Sequence, residues 1–500
     1  MMKPKPENHN GKRLEPSRTG MKIANVMLVL GAASVVSVLI SIVRLKFIAL
    51  LLGPAGIGLY GIFLSLQNAG VALFGLGFNS SGIRIVSQAE NSPEKLTDIR
   101  WALVIGSLLL GLVACCVVWS LAAEISEVVF SDAMHATEIR WLGVGIVVSL
   151  LAGSQLAVLQ GLRKIQSVAI YRVLGALIAT SIGIGVIYQY GLDGVIILIL
   201  LVPFVNIAVI WILVRRQLAP LGGLKPTKMP TVWKDAYALG LTFMGTASIN
   251  AFSLIAIQTI IVRHGGPAEM GLFQAVFTLS AHYLGFLLIA AQADYYPKLA
   301  AACDQPRRVW FLVNKQTQIG FYIAAPIIIL MASMSDWILP LLYSPSFSQA
   351  ANLQRIWLLG DVLAIPTIYC AYVLLGWNKG SLFFFIKLLG AALYIVLVYA
   401  FYRSGFGLTG VAFGKVLMEM FVLVVTTIIV SRVSGFRWYH NNVAFGFALV
   451  VSLAIINGLA LISPLAAHSG GLLLALGFGC IALLRIVGKE KLLRVVSSLK

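Results

Sequence analysis

Stretches of about twenty apolar residues recur along this chain from Ile23 to Val487, separated mostly by short polar breaks. About twenty helical residues cross the ~30 Å hydrocarbon core of a bilayer, whereas helices on the surface of a soluble domain carry only one apolar stripe. The pattern predicts a protein whose solvent is largely lipid. Composition agrees: 59% of the 500 residues are hydrophobic and 11% are charged, against roughly 45–50% and 25% in soluble domains.

Fourteen spans are expected, near 24–52, 57–83, 101–122, 140–161, 168–188, 194–214, 236–262, 271–293, 317–338, 354–375, 382–402, 408–430, 442–462 and 469–487. Each should be a helix, because backbone crossing lipid must satisfy its own hydrogen bonds. An even number puts both termini on one side. On that side lie 30 of the 37 Lys and Arg residues; only Arg140, Arg263, Arg355 and Arg403 lie on the other, and Arg44, Lys46 and Lys415 fall within spans. Cationic loops stay in the cytoplasm, so both termini are expected there.

The excess of 37 basic over 18 acidic residues is spread along loops rather than gathered in a basic domain, which argues against nucleic acid as a partner. The five cysteines have no paired or Cys/His spacing for a disulfide framework or a zinc site. The polar segment Met1–Lys22 precedes an apolar run too long for a signal peptide and is expected to be a retained cytoplasmic tail. No GxxxxGK[ST], HExxH or GxSxG motif is present, so an ATP motor or a familiar hydrolase is not expected. No cofactor is called for. Energy would come from a proton or sodium gradient, the membrane potential or substrate flow.

The chain carries signs of duplication. Gly53-Pro54-Ala55-Gly56-Ile57-Gly58-Leu59-Tyr60 joins spans 1 and 2, and Gly266-Pro267-Ala268-Glu269-Met270-Gly271-Leu272-Phe273 joins spans 7 and 8, an offset of 213 residues. Gly191-Leu192-Asp193-Gly194-Val195 and Gly407-Leu408-Thr409-Gly410-Val411 repeat at an offset of 216. Six spans per repeat is even, so the halves share orientation and should be related by an axis along the membrane normal, enclosing a central cavity. The division expected is a basic tail (1–22), a six-helix lobe (23–215), a Pro/Gly-rich cytoplasmic linker (216–234), a second six-helix lobe (235–432), and an extension (433–500) with two more spans.

Charges near the bilayer centre cost at least about 2.5–3.5 kcal/mol and usually face a wet cavity or a partner. Arg44 and Lys46 lie late in span 1, about 200° apart on a helix, so they cannot both enter one narrow cavity. Lys415 and Glu419 are four residues apart in span 12, positioned for an ion pair on one helical face. Displacing Lys415 from that pair would free Glu419 to take a proton. Asp361 in span 10 is a candidate for ion binding or for pairing with a cation on another span. Gln67, Asn68, Asn250, Gln258, Gln274 and His282 are polar cavity candidates, although interhelical hydrogen bonding accounts for most such residues.

The turn at Gly53–Tyr60 after a cation-bearing first span, Tyr295-Tyr296-Pro297-Lys298-Leu299 after span 8, and Trp357-Leu358-Leu359-Gly360-Asp361 in span 10 together resemble Wzx-type translocases of O-antigen and enterobacterial common antigen. These form the polysaccharide-transporter branch of the superfamily that includes MATE exporters and the lipid II flippase. The resemblance covers roughly residues 21 to 432. It implies an all-α polytopic protein of the bacterial inner membrane, with two six-helix lobes in a V that open alternately to cytoplasm and periplasm. It also implies a membrane-lipid substrate, undecaprenyl pyrophosphate bearing an oligosaccharide, and a polysaccharide polymerase and chain-length regulator as protein partners. A pyrophosphate needs fixed cations, for which Arg44, Lys415, Arg263 and Lys46 are available. The lipid II flippases also have fourteen spans, the last two lining a groove for the lipid tail; here a packing or oligomer contact is an equal alternative for the extension.

A MATE-like exporter of small cationic molecules would favour acidic cavity residues, whereas the embedded charge here leans cationic. A membrane-embedded polysaccharide polymerase or ligase would carry a large outer loop, and no outer loop exceeds about 20 residues on this topology. A noncatalytic scaffold would have no reason to keep buried ions.

Overall fold

The computed structural model describes residues 16–89, 92–218, 229–291 and 295–487. The expected N-terminal tail as far as residue 15, most of the linker and the C-terminal tail beyond Val487 lie outside the described residues.

Every regular element among the described residues is helical. Helix α1 (Pro16–Phe74) runs through spans 1 and 2, and α8 (Met229–Ala290) through spans 7 and 8. At 59 and 62 residues these would each measure roughly 90 Å if straight, about three bilayer cores. Each instead breaks at the glycine of its turn motif, Gly53 (φ 65°) and Gly266 (φ 76°), both followed by a proline that cannot continue the hydrogen-bond ladder. Between these lie α2 (Phe78–Gln88), α3 (Pro93–Ser120), α4 (Ala122–Phe130), α5 (Ala136–Gly161), α6 (Ile165–Tyr190) and α7 (Gly194–Gln217). After α8 follow α9 (Tyr296–Ala300), α10 (Pro306–Ser333), α11 (Ser335–Leu342), α12 (Ala351–Gly376), α13 (Gly380–Arg403), α14 (Gly407–Ser434), α15 (His440–Ile462) and α16 (Pro464–Val487).

Eleven stretches among the described residues are long and apolar enough to cross a membrane. Three of them, Val29–Phe74, Ile165–Gln217 and Ala247–Gly285, contain a positive-φ glycine, at Gly53, Gly191 and Gly266. Each is long enough for two crossings, which brings the crossings to the fourteen expected. The largest differences from the expected boundaries fall at spans 2 and 9. Span 2 stops at Phe74, because Leu76 and Gly77 both take positive φ and start α2 as a separate helix. Span 9 is α10, beginning eleven residues early at Pro306, and the last residues assigned to it form the short α11.

Packing sorts the helices into a first group (α1, α3, α5, α6, α7) and a second (α8, α10, α12, α13, α14), with the seam between them made chiefly by α1 against α8. The seam is tightest where the two turns meet, here called the turn end. A Cβ on Gly58 would overlap the Pro267 carbonyl oxygen, and one on Gly271 would overlap that of Pro54. Around this crossing a single apolar core joins both groups, from Leu45, Ile48 and Ile57 through Ile139 and Leu198 to Ile257, Phe273, Phe347 and Val411. A second core, holding Leu358, Ile365 and Val373, takes in Leu449, Leu453, Ile456 and Phe478, so α15 and α16 pack onto the second group.

Candidate functional site

The most deeply buried charges lie in the second group, where α8, α12 and α14 converge. Trp357 and Asp361 are four residues apart on α12, Ser280 and Tyr283 three apart on α8, and Lys415 and Glu419 four apart on α14, so each helix presents its pair on one face. Asp361 is fully buried and Lys415 nearly so. The Lys415 ammonium forms an ion pair with Asp361 Oδ1 and sits 4.0 Å from the centroid of the Trp357 ring, a cation–π distance. The other carboxylate oxygen accepts from Ser280 Oγ at 2.5 Å and from the Tyr283 hydroxyl. Gly360 makes room for the lysine stem: a Cβ there would come within 3.1 Å of Lys415 Cγ. The partner of Lys415 is thus Asp361, the cross-span pairing that was one alternative for that residue, rather than Glu419 on its own helix; Asp361 is fully buried and Glu419 half-buried, and a fully buried carboxylate is the costlier one to leave unpaired.

The cations assigned to a pyrophosphate on sequence grounds are not gathered together. Lys46 donates to two backbone carbonyls at the end of α11, Pro340 O at 3.1 Å and Leu341 O at 2.8 Å. Arg263 is exposed and donates to Glu127 O in α4 at 2.6 Å. Lys415 is held by Asp361. Arg44 differs: it is half-buried, one helical turn from fully buried Ile48, and its Nε is shielded from solvent with no hydrogen-bond partner among the described residues. Of the four cations available on sequence grounds, Arg44 is thus uncommitted among the described residues and the other three are engaged.

The polar candidates divide similarly. Gln258 donates to Gln274, which donates to Thr278, binding spans 7 and 8 together. His282 Nδ1 lies 2.6 Å from Thr278 O on its own helix. Gln67 donates to Ser149 Oγ across to α5. Asn68 and Asn250 are exposed.

Between the two groups lies a cavity of about 440 Å³ lined by Ser80 of α2, by Ser107, Ser149 and Ser154 of the first group and by Met244 and Ala247 of α8. The polar side chains among its described lining residues are hydroxyls, able to donate and accept, and no cation is among them. A second cavity of about 490 Å³ is an apolar groove between α10, α12, α14 and α15, walled by Phe321, Val362, Pro366, Val424, Ile428 and Phe447. The serines, and the Ser280 and Tyr283 partners of the ion pair, were not singled out from sequence, and Trp357 entered only as part of the Trp357–Asp361 motif. Serines are common in membrane helices and carry no distinguishing signal, whereas the four-residue spacing of Trp357 and Asp361 was a readable sign of a shared face.

The sequence profile for the polysaccharide biosynthesis protein family matches residues 47–352, more than half the chain, and the chain belongs to that family. It is 26% identical over 382 residues to the lipid III flippase of Escherichia coli (strain K12), covering 73% of this chain and 88% of that protein. Among solved structures, the fold matches an inward-facing multidrug resistance MATE family transporter of the MOP superfamily with a TM-score of 0.69 at 16% identity, over 80% of this chain and 94% of that one. It also matches the lipid II flippase MurJ in an inward closed conformation, again with a TM-score of 0.69, at 12% identity, over 92% of this chain and all of the other. The all-helical polytopic architecture expected from sequence is thus that of MOP-superfamily transporters.

Proposed function

We propose that this protein flips an undecaprenyl-pyrophosphate-linked oligosaccharide from the cytoplasmic to the periplasmic leaflet of the bacterial inner membrane, by alternating access between its two helix groups, for surface polysaccharide assembly. Both termini face the cytoplasm in this reading, which makes the turn end periplasmic. The observation that carries it is Arg44. A buried guanidinium nitrogen without a partner is costly, and a pyrophosphate would satisfy it with charge-assisted, bidentate hydrogen bonds. Lys46, Arg263 and Lys415 are engaged elsewhere, so Arg44 is the principal headgroup ligand.

The other features suit the same substrate. The serine-lined cavity offers paired donors and acceptors of the kind that sugar hydroxyls need, and the apolar groove beside α15 would take part of the prenyl chain. The relative's activity on lipid III and the family's link to polysaccharide synthesis point the same way. A MATE-like exporter of cations is less well supported, because the buried carboxylate of Asp361 already holds Lys415. For energy, the Asp361–Lys415 pair with Glu419 on the next turn is the site at which a proton could enter; Glu419→Gln transporting normally and without pH dependence would remove Glu419 from that role.

The test is to delete the protein in its native host and follow the lipid-linked oligosaccharide. Accumulation facing the cytoplasm, reversed by the wild-type gene, is expected; normal periplasmic export without the protein would refute the reading.

A further inference from the structure

The short helices α4 and α11 are repeats of one another. Each follows the third span of its half after a one-residue break, at Leu121 and Met334, and these breaks are 213 residues apart, the offset of the turn motifs. Ala122 and Ser335, which open the two helices, are separated by the same 213. The duplication extends to their contacts. Arg263, in the first span of the second half, donates to Glu127 O of α4 at 2.6 Å. Lys46, in the first span of the first half, donates to Pro340 O of α11 at 3.1 Å and to Leu341 O at 2.8 Å. Glu127 and Pro340 are themselves 213 residues apart, so the two cations reach equivalent carbonyls from opposite directions.

The cations are not at equivalent positions. Lys46 lies seven residues before Gly53 and Arg263 three before Gly266, a difference of one helical turn that leaves both on the corresponding face. Equivalent acceptors reached by different residue types from different positions indicate a requirement at the helix ends themselves. Glu127 O already accepts the Ser131 N–H at 3.1 Å, so Arg263 takes its second lone pair; the last turn of each helix carries the negative end of the helix dipole, which favours a cation there.

Both bonds join one helix group to the other at the turn end, beside the Gly58–Gly271 crossing. Opening that end must break them, whereas motion within a group need not. We propose that Lys46 and Arg263 form a duplicated latch, in which the first span of each half caps the short α4-type helix of the other and holds the turn end shut. These two residues then set the balance between the conformers of the transport cycle rather than binding the headgroup. The inference goes beyond the flipping reading and does not require its substrate.

The test is a distance measurement in lipid nanodiscs. Spin labels are placed at Met134→Cys and Ser404→Cys, exposed positions on opposite groups at the turn end, in a chain whose five native cysteines are replaced. Lys46→Met or Arg263→Gln should each raise the long-distance population about threefold, and the pair about tenfold, the range expected for losing cations at helix C-termini. Lys46→Arg, which keeps a cation, should resemble wild type. An unchanged distribution in both single variants overturns the latch, as does a Lys46→Arg effect equal to that of Lys46→Met. Should the double variant fail to assemble, the single variants decide. No lipid-linked saccharide is present, so failure here is separable from failure of the flipping reading.

Discussion

Lys415 is tied to Asp361 between α14 and α12 while its ammonium rests against the Trp357 ring, so the most deeply buried charge in the second helix group is neutralised within the protein. Removing one member of such a pair strands the other in a low-dielectric site, which typically destabilises by about 3–5 kcal/mol. Asp361→Asn or Lys415→Met alone should therefore lower thermal stability in detergent markedly. The double variant should recover most of the loss, and a double variant as unstable as the sum of the two would show that the residues act independently.

Arg44 supplies a contrasting case. Its Nε has no partner among the described residues, so Arg44→Ala should insert and fold normally while export falls by at least tenfold, the consequence of losing about 1.4 kcal/mol or more of headgroup binding. Arg44→Lys should rescue only in part, since an ammonium lacks the planar fork. Export of the lipid-linked saccharide, measured beside membrane abundance, separates a binding role from a folding one.

The Gly58–Gly271 crossing has no room for a methyl group on either side. Gly58→Ala or Gly271→Ala should push the turn ends apart, favour the conformer open at that end and reduce transport with little loss of protein in the membrane. The spin-label pair described above would read the shift directly, and an unchanged distance with normal transport would show that the crossing relaxes around the methyl.

Ser80 lines the cavity between the groups and is exposed to it. Ser80→Leu replaces a hydroxyl with a bulky apolar group and should impair transport, whereas Ser80→Thr, which keeps the hydroxyl, should be tolerated. Equal transport by both variants would place the sugar elsewhere.

The architecture was readable because lipid imposes a simple rule on sequence, and because Gly53 and Gly266 mark the same break twice. Residue pairing was less readable. Lys415 and Glu419 satisfy a local spacing rule, yet the actual partner, Asp361, is 54 residues away on a neighbouring helix. No periodicity states which faces of two helices meet. Lys46 and Arg263 were seen as cations in an unfavourable place, but their acceptors are backbone carbonyls, which every residue possesses and no sequence motif announces. The helices supplying those carbonyls, α4 and α11, are only nine and eight residues long, too short for hydropathy to separate from the spans before them.

The reciprocal close approach of Gly58 to Pro267 and of Gly271 to Pro54 makes each turn the socket for the other. A side chain at either glycine would displace the facing turn rather than its own. The two halves thus share one fulcrum, and each turn limits what the opposite one can carry.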